Sequence, residues 1–179
     1  MQEEIFPLVD ETGKVIGQAA RSRCHDGSKL LHPVIHLHVF NTQGQLYLQK
    51  RAASKEIEPN KWDSSVGGHI DLGETAEEAA HREGKEEIGL VGSTIYYLDK
   101  YVIETEIERE LTYCFYTVYD GSFCFDETEV QDGRFWSIQE IASSLSKGIF
   151  TPNFEYDFNL FLHNGLQWLL GQNNSQYRL

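Results

Sequence analysis

Cysteine, proline and positive charge are all scarce in this chain, and no long hydrophobic run interrupts it. Its three cysteines, Cys24, Cys114 and Cys124, are an odd number without CxxC spacing, which argues against a secreted disulfide scaffold or a zinc ribbon and favours reduced thiols. The 4 prolines mark no linker and no repeat is present, so one domain over residues 1–171 is expected, followed by a polar tail over 172–179. Nothing approaches the roughly 18 consecutive apolar residues of a membrane span. The start Met1-Gln2-Glu3-Glu4 is acidic where a signal peptide is basic. A cytoplasmic protein with no membrane partner is the expectation.

Against 15 lysines and arginines stand 28 acidic residues, a formal charge of −13 that repels a phosphate backbone and argues against a nucleic-acid polymer as partner. Such a surface suits cations, or a small anionic substrate bridged to carboxylates by divalent ions, although it also serves solubility alone. With 40% hydrophobic and 24% charged residues, the 179-residue chain has the composition of a globular protein able to bury a core. Composition leaves the oligomeric state open, a homodimer included.

Pro7 to Gln18 is predicted to form a hairpin around Glu11-Thr12-Gly13-Lys14, and Val34 to Phe40 a strand that turns through Asn41 to Gln45 into Leu46 to Lys50. Thr75 to Ile88 has high helix propensity, opens on Thr75 as N-cap with Glu78 three residues on, and closes at Gly89. Further strands are predicted at Ser93 to Ile103, Glu110 to Tyr119 and Arg134 to Trp136, and helices at Ile138 to Leu145 and Asn153 to Leu170. In the last of these Phe154, Phe158, Phe161, Leu162, Trp168 and Leu169 recur at helical spacing, the mark of a core face.

The most informative stretch runs from Gly67-Gly68-His69-Ile70-Asp71-Leu72-Gly73-Glu74-Thr75 to Arg82-Glu83-Gly84-Lys85-Glu86-Glu87-Ile88-Gly89-Leu90. On a helix Glu83 and Glu87 stand one turn apart with Glu86 beside them, so three carboxylates are expected to converge. Like charges so spaced cost stability unless a cation neutralises them, and hard oxygen ligands select Mg²⁺, Mn²⁺ or Ca²⁺. A solvated acidic face is the other reading. The glycines before the helix let the backbone come close to a metal and a phosphate.

Taken whole, Gly68-x5-Glu74-x7-Arg82-Glu83-x2-Glu86-Glu87-x-Gly89-Leu90 resembles the signature of the Nudix hydrolase family, departing from it at Gly84, where an apolar residue is usual and a packing contact is therefore expected to weaken. The resemblance implies an α/β (α+β) Nudix fold, an α/β/α sandwich around a mixed β-sheet. It also implies hydrolysis of a diphosphate linkage in a nucleotide-like or related small metabolite. Carried over by position, Glu83, Glu86 and Glu87 would hold Mg²⁺ or Mn²⁺ with the backbone carbonyl of Gly67, while Arg82 and Glu74 would pair and orient them.

A second set of residues invites the same chemistry. His25, His32 and His69 read singly as ordinary surface or core histidines, and Glu108 and Glu110 alternate onto one face of a strand. Together they suit an N/O site for Mn²⁺, Mg²⁺ or Zn²⁺. The pattern Arg21-x3-His25-x6-His32, Asn41-x2-Gly44-x-Leu46, Arg51-x3-Lys55, Trp62, Gly68-His69 and Glu108-x-Glu110 resembles the type I isopentenyl-diphosphate isomerases, themselves of Nudix fold. That resemblance implies a second metal at His25, His32, His69, Glu108 and Glu110, and diphosphate binding by Arg51 and Lys55. The isomerases require a cysteine immediately before the Gly-His pair, where this chain has Gly67. Allylic isomerisation needs a proton donor and an acceptor on opposite faces of the double bond, and glycine is neither. Diphosphate hydrolysis is therefore expected, with isomerisation, or non-catalytic sensing of a nucleotide or metabolite, as alternatives.

Overall fold

A computed structural model describes residues 3–55, 57–124 and 130–176. The predicted hairpin forms from β1 (Ile5–Val9) and β2 (Val15–Ala20), closed by the Asp10 carboxylate accepting from the Thr12 and Lys14 amides at 2.9 and 3.1 Å. After a one-turn helix α1 (Arg21–Cys24) come β3 (Leu31–Phe40), β4 (Leu46–Arg51), β5 (Trp62–Asp63), β6 (Val66–His69) and α2 (Ala76–Ile88). The chain continues through β7 (Tyr96–Glu104), β8 (Arg109–Val118), β9 (Val130–Trp136), α3 (Ile138–Ser144), α4 (Pro152–Asp157), a π-helical turn (Phe158–Leu162) and α5 (Gly165–Gln176).

Strand β3 is the axis of a mixed sheet. It runs parallel to β8 along its whole length, while its other edge is shared by β6 at residues 34–37 and β4 at residues 39–40, both antiparallel. Beyond them β7 pairs with β8, and β5 and β9 with β4. On one face Ile35, Leu37, Val39 and Val66 pack under α2 through Ala79, Ala80 and Ile88. On the other, Phe40, Leu46, Leu48 and Tyr116 meet Ile141, Phe154, Phe158 and Leu162 of the C-terminal helices. The result is an α/β/α sandwich around a mixed sheet.

Helix α2 forms where its sequence signals place it. Thr75 and Glu78 complete a reciprocal capping box, and Gly89 ends the helix in the left-handed region at φ 69°. Strand β3 starts earlier than expected and is buried on both faces, because a strand covered by helices on each side has no solvent face to pattern. Strands β5 and β6 escape notice in the sequence: one is two residues long, and the Gly67-Gly68 pair in the other reads as loop.

The single helix expected over 153–170 is corrected to three pieces. The π-helical turn inserts extra residues per turn, and Gly165 at φ 71° breaks the axis. Phe154, Phe158, Phe161, Leu162 and Leu169 are buried as expected and Leu166 joins them, while Trp168 lies at the surface rather than in the core. Helix α5 carries helical backbone to Gln176, into the segment expected as a polar tail, while residues 177–179 lie outside the described residues.

Candidate active site

A cleft of about 950 Å³ opens between β1, the β6–α2 loop, the N-terminal half of β3, β8 and the start of α4. Glu83, Glu86 and Glu87 all line it, and one guanidinium organises the first two. Arg82 clasps Glu74 bidentately, Nε to Oε1 and Nη2 to Oε2 both at 2.8 Å, and Nη2 also reaches the His69 carbonyl at 2.9 Å. Its Nη1 donates to Glu83 at 2.7 Å and to Glu86 at 3.4 Å. Glu87 sits apart, accepting from Gln49 Nε2 at 3.0 Å and the Gly67 amide at 3.4 Å. Arg82 thus holds Glu83 and Glu86, while Gln49 and the Gly67 amide hold Glu87, and all three carboxylates line the same cleft. A Cβ on Gly68 would overlap the Glu83 carboxyl group and push that side chain from its place beside Arg82.

Burial dominates the electrostatics. It raises the Glu83 carboxyl above its ordinary value despite Arg82, and together with Glu83 it pushes Glu87 up to about 8. Glu74 moves the other way, held low by its hydrogen bonds to Arg82.

At the other end of the cleft His25, His32 and His69 gather with ring centroids 5.3–5.5 Å apart. His32, Glu108 and Glu110 form an overlapping group, their ligand atoms within 4.8 Å of one another. His25 Nδ1 lies 2.5 Å from Glu108 Oε2, and His32 Nδ1 lies 3.0 Å from the Leu30 carbonyl. Among the described residues, the Nε2 atoms of all three histidines are buried without a hydrogen-bond partner. Burial pulls His32 below its usual value, and burial followed by the Arg21 charge takes His69 down to about 2, so both imidazoles are neutral at neutral pH. Burial, followed by Glu108, raises Glu110 to about 7, while Asn153 Nδ2 donates to it at 3.2 Å. Three imidazoles with unpartnered Nε2 atoms, beside two carboxylates, are the donor set a divalent cation takes.

Arg51 and Lys55 also line the cleft. The Arg51 guanidinium donates to the Ile57 carbonyl at 3.0–3.1 Å and to Asp63 at 3.1 Å, which ties the 52–60 loop to β5.

Several residues of the site carry no signal in the sequence. Phe6 of β1 stacks on the His69 ring at 4.0 Å and roofs the histidine cluster. Gln49 orients Glu87, and Asn153 orients Glu110. His36 lines the cleft from a strand that reads as pure core, and its Nδ1 lies 2.6 Å from Asp157, a partner 121 residues away. Only the HxH spacing within β3 hinted at polar work there.

The NUDIX domain family model matches residues 30–154. An uncharacterised Nudix hydrolase of Listeria monocytogenes is 39% identical over 126 residues, covering 69% of this chain and 74% of that protein. An isopentenyl-diphosphate Delta-isomerase of Photorhabdus laumondii is 32% identical over 150 residues, covering 80% and 83%. Among solved structures, the crystal structure of DR0079 from Deinococcus radiodurans aligns with a TM-score of 0.71 at 26% identity, covering 83% of this chain and 92% of that one. A MutT protein from Methanosarcina mazei aligns with a TM-score of 0.65 at 18% identity over 74% and 94%, a likeness of fold alone. Motif, sheet topology and family match agree over the same residues, and the chain belongs to the Nudix family.

Proposed function

We propose that this Nudix protein is a metal-dependent hydrolase that cleaves a diphosphate linkage in a nucleotide-like or related small metabolite. The observation that carries the reading is Glu87, a half-buried carboxylate in the cleft near Glu83 with no cationic partner among the hydrogen bonds of the described residues. A carboxylate so placed is costly unless a cation joins it. Glu83, Glu86 and Glu87, with the Gly67 carbonyl, suit Mg²⁺ or Mn²⁺, and the bare nitrogens of His25, His32 and His69 beside Glu108 and Glu110 suit Mn²⁺ or Zn²⁺. Cations bound there would neutralise the diphosphate and acidify a water. Arg82 keeps Glu83 and Glu86 in place by its grip on Glu74, Gln49 and the Gly67 amide fix Glu87, and Arg51 and Lys55 offer positive charge to the incoming diphosphate.

Phosphate release from nucleoside di- and triphosphates, nucleotide sugars and dinucleotides, with and without Mn²⁺, tests this reading. Metal-dependent turnover on at least one is expected, with Glu87→Gln slower by about 10²-fold or more at unchanged melting temperature. Folded protein with no turnover on any compound counts against it, and micromolar binding without turnover would favour a sensor.

The histidine and glutamate cluster, with the isomerase relative, supports a second reading, isopentenyl-diphosphate isomerisation. Deuterium uptake from D₂O into isopentenyl diphosphate decides it. No enzymatic exchange is expected, because Gly67 supplies no proton-transfer group.

A further inference from the structure

We propose that His36 is a further substrate-contacting residue of this cleft, hydrogen-bonding a diphosphate oxygen beside Gly67, and that Asp157 is the positioning residue that aims it. The inference rests on the hydrolase reading for the identity of the ligand. Asp157 is fully buried at the end of α4, and three strands converge on its carboxylate. The His36 Nδ1 of β3 lies 2.6 Å from Oδ2, the Tyr101 hydroxyl of β7 donates to Oδ1 at 2.5 Å, and the Cys114 thiol of β8 donates to Oδ1 at 3.4 Å. His38 Nε2 stands 3.2 Å from Oδ2. Of these four neighbours His36 alone lines the cleft, so it links the buried carboxylate to the cleft.

With Nδ1 committed to Asp157, the Cδ2–Nε2 edge of the ring is left to face the cleft. Gly67 stands opposite His36 in the β3–β6 pair and leaves that edge uncovered, since a Cβ there would lie 3.7 Å from His36 Cδ2, in van der Waals contact with it. Strand β3 runs between β6, whose Gly67 amide touches Glu87, and β8, which carries Glu110. The imidazole therefore lies between the two acidic groups of the cleft, where a diphosphate addressed from both sides would rest. Helix α4 fixes the whole arrangement from behind. Thr151 Oγ1 donates to Asp63 at 2.7 Å, Asn153 to Glu110 at 3.2 Å, and Asp157 takes His36.

Calorimetric titration of methylenediphosphonate, a diphosphate that cannot be hydrolysed, in the presence of Mn²⁺ tests the proposal. In His36→Asn the amide can occupy the place of Nδ1 and keep Asp157 company while the cleft edge is gone; binding should weaken about tenfold or more, the loss of one hydrogen bond to a charged group. His36→Gln, whose amide nitrogen reaches the place of Nε2, should recover part of that loss. Asp157→Asn should weaken binding several-fold, whereas Tyr101→Phe, which removes another donor to the same carboxylate, should lower Tm and leave the affinity unchanged. In the wild-type protein the NMR signal of the His36 ring should shift on adding the probe, a readout that stands whether or not the variants fold. Unchanged affinity in folded His36→Asn overturns the proposal. So does equal weakening by Tyr101→Phe and Asp157→Asn, which marks the cluster as structural. Probe binding that depends on His36 without turnover of any diphosphate would sustain this contact while the hydrolase reading fails. Absence of probe binding by the wild type would overturn the contact and leave the turnover assay to judge the reaction.

Discussion

Asp157 and His36 set each other's charge. Burial disfavours the imidazolium, but the Asp157 carboxylate outweighs it and raises His36 to about 9. Burial likewise disfavours the carboxylate, and the His36 charge and hydrogen bond hold Asp157 far below its usual range. A raised histidine stabilises the fold fully below its unfolded value near 6.5 and loses that contribution as pH climbs through about 9. A depressed aspartate contributes above its unfolded value near 3.8 and loses the contribution only as pH falls towards its own low folded value. Both terms are complete from about pH 4 to 6.5. Melting curves followed by circular dichroism should therefore show wild type above Asp157→Asn by the largest margin in that window, on the order of 3 kcal/mol for a broken buried pair. The margin should shrink towards pH 10, and one that grows between pH 7 and 10 would contradict the assignment. None of this is legible in the sequence, where the two residues are 121 positions apart. Glu74, Arg82 and the motif glutamates are legible because a loop and one helix bring them together locally.

Helix α2 is the element that carries those glutamates, and its ends were written plainly in Thr75, Glu78 and Gly89. Its middle was less plain. Gly84, where a larger apolar residue is usual for the family, leaves no void, because Leu37 and Leu90 fill the space to within 3.4 Å of where a Cβ would sit. A methyl group there meets ordinary contact distances. A glycine inside a helix costs about 0.5–1 kcal/mol relative to alanine, so Gly84→Ala should raise the unfolding free energy by about that much, read as a higher denaturation midpoint at unchanged m-value. A fall would show that Leu37 cannot give way. Strands resist sequence reading for a different reason. Alternation identifies a strand with one wet face, and β3 has none, while β5 and β6 exist only through the neighbours that pair with them. The C-terminal segment misleads in turn, since its apolar stripe is continuous in sequence yet interrupted in space by the π-helical turn and Gly165.

At the scale of the whole molecule, the cleft gathers Glu83, Glu86, Glu87, Glu108 and Glu110 beside histidine nitrogens that have no hydrogen-bond partner among the described residues, so cations bound there should hold the protein together. A ligand at a hundredfold its Kd contributes about 2.7 kcal/mol, roughly 5–10 °C of melting temperature for a chain of this size. Dialysis against a chelator should lower Tm by that order, Mn²⁺ or Zn²⁺ should restore it, and His25→Ala should bind one equivalent less by elemental analysis. A melting temperature indifferent to chelation would argue that the histidines are structural. The parallel pairing of β3 with β8 also sets the order in which the protein comes together on the ribosome. Strand β3, ten residues long and apolar, emerges early, yet its partner lies beyond α2 and the carboxylate that receives His36 lies beyond that. At about 5–20 residues per second the nascent chain exposes β3 for roughly 6–24 s before residue 157 is made. Through that interval one edge of the strand waits for its partner, and the cluster of His25, His32, His69, Glu108 and Glu110 cannot be complete until β8 has been made.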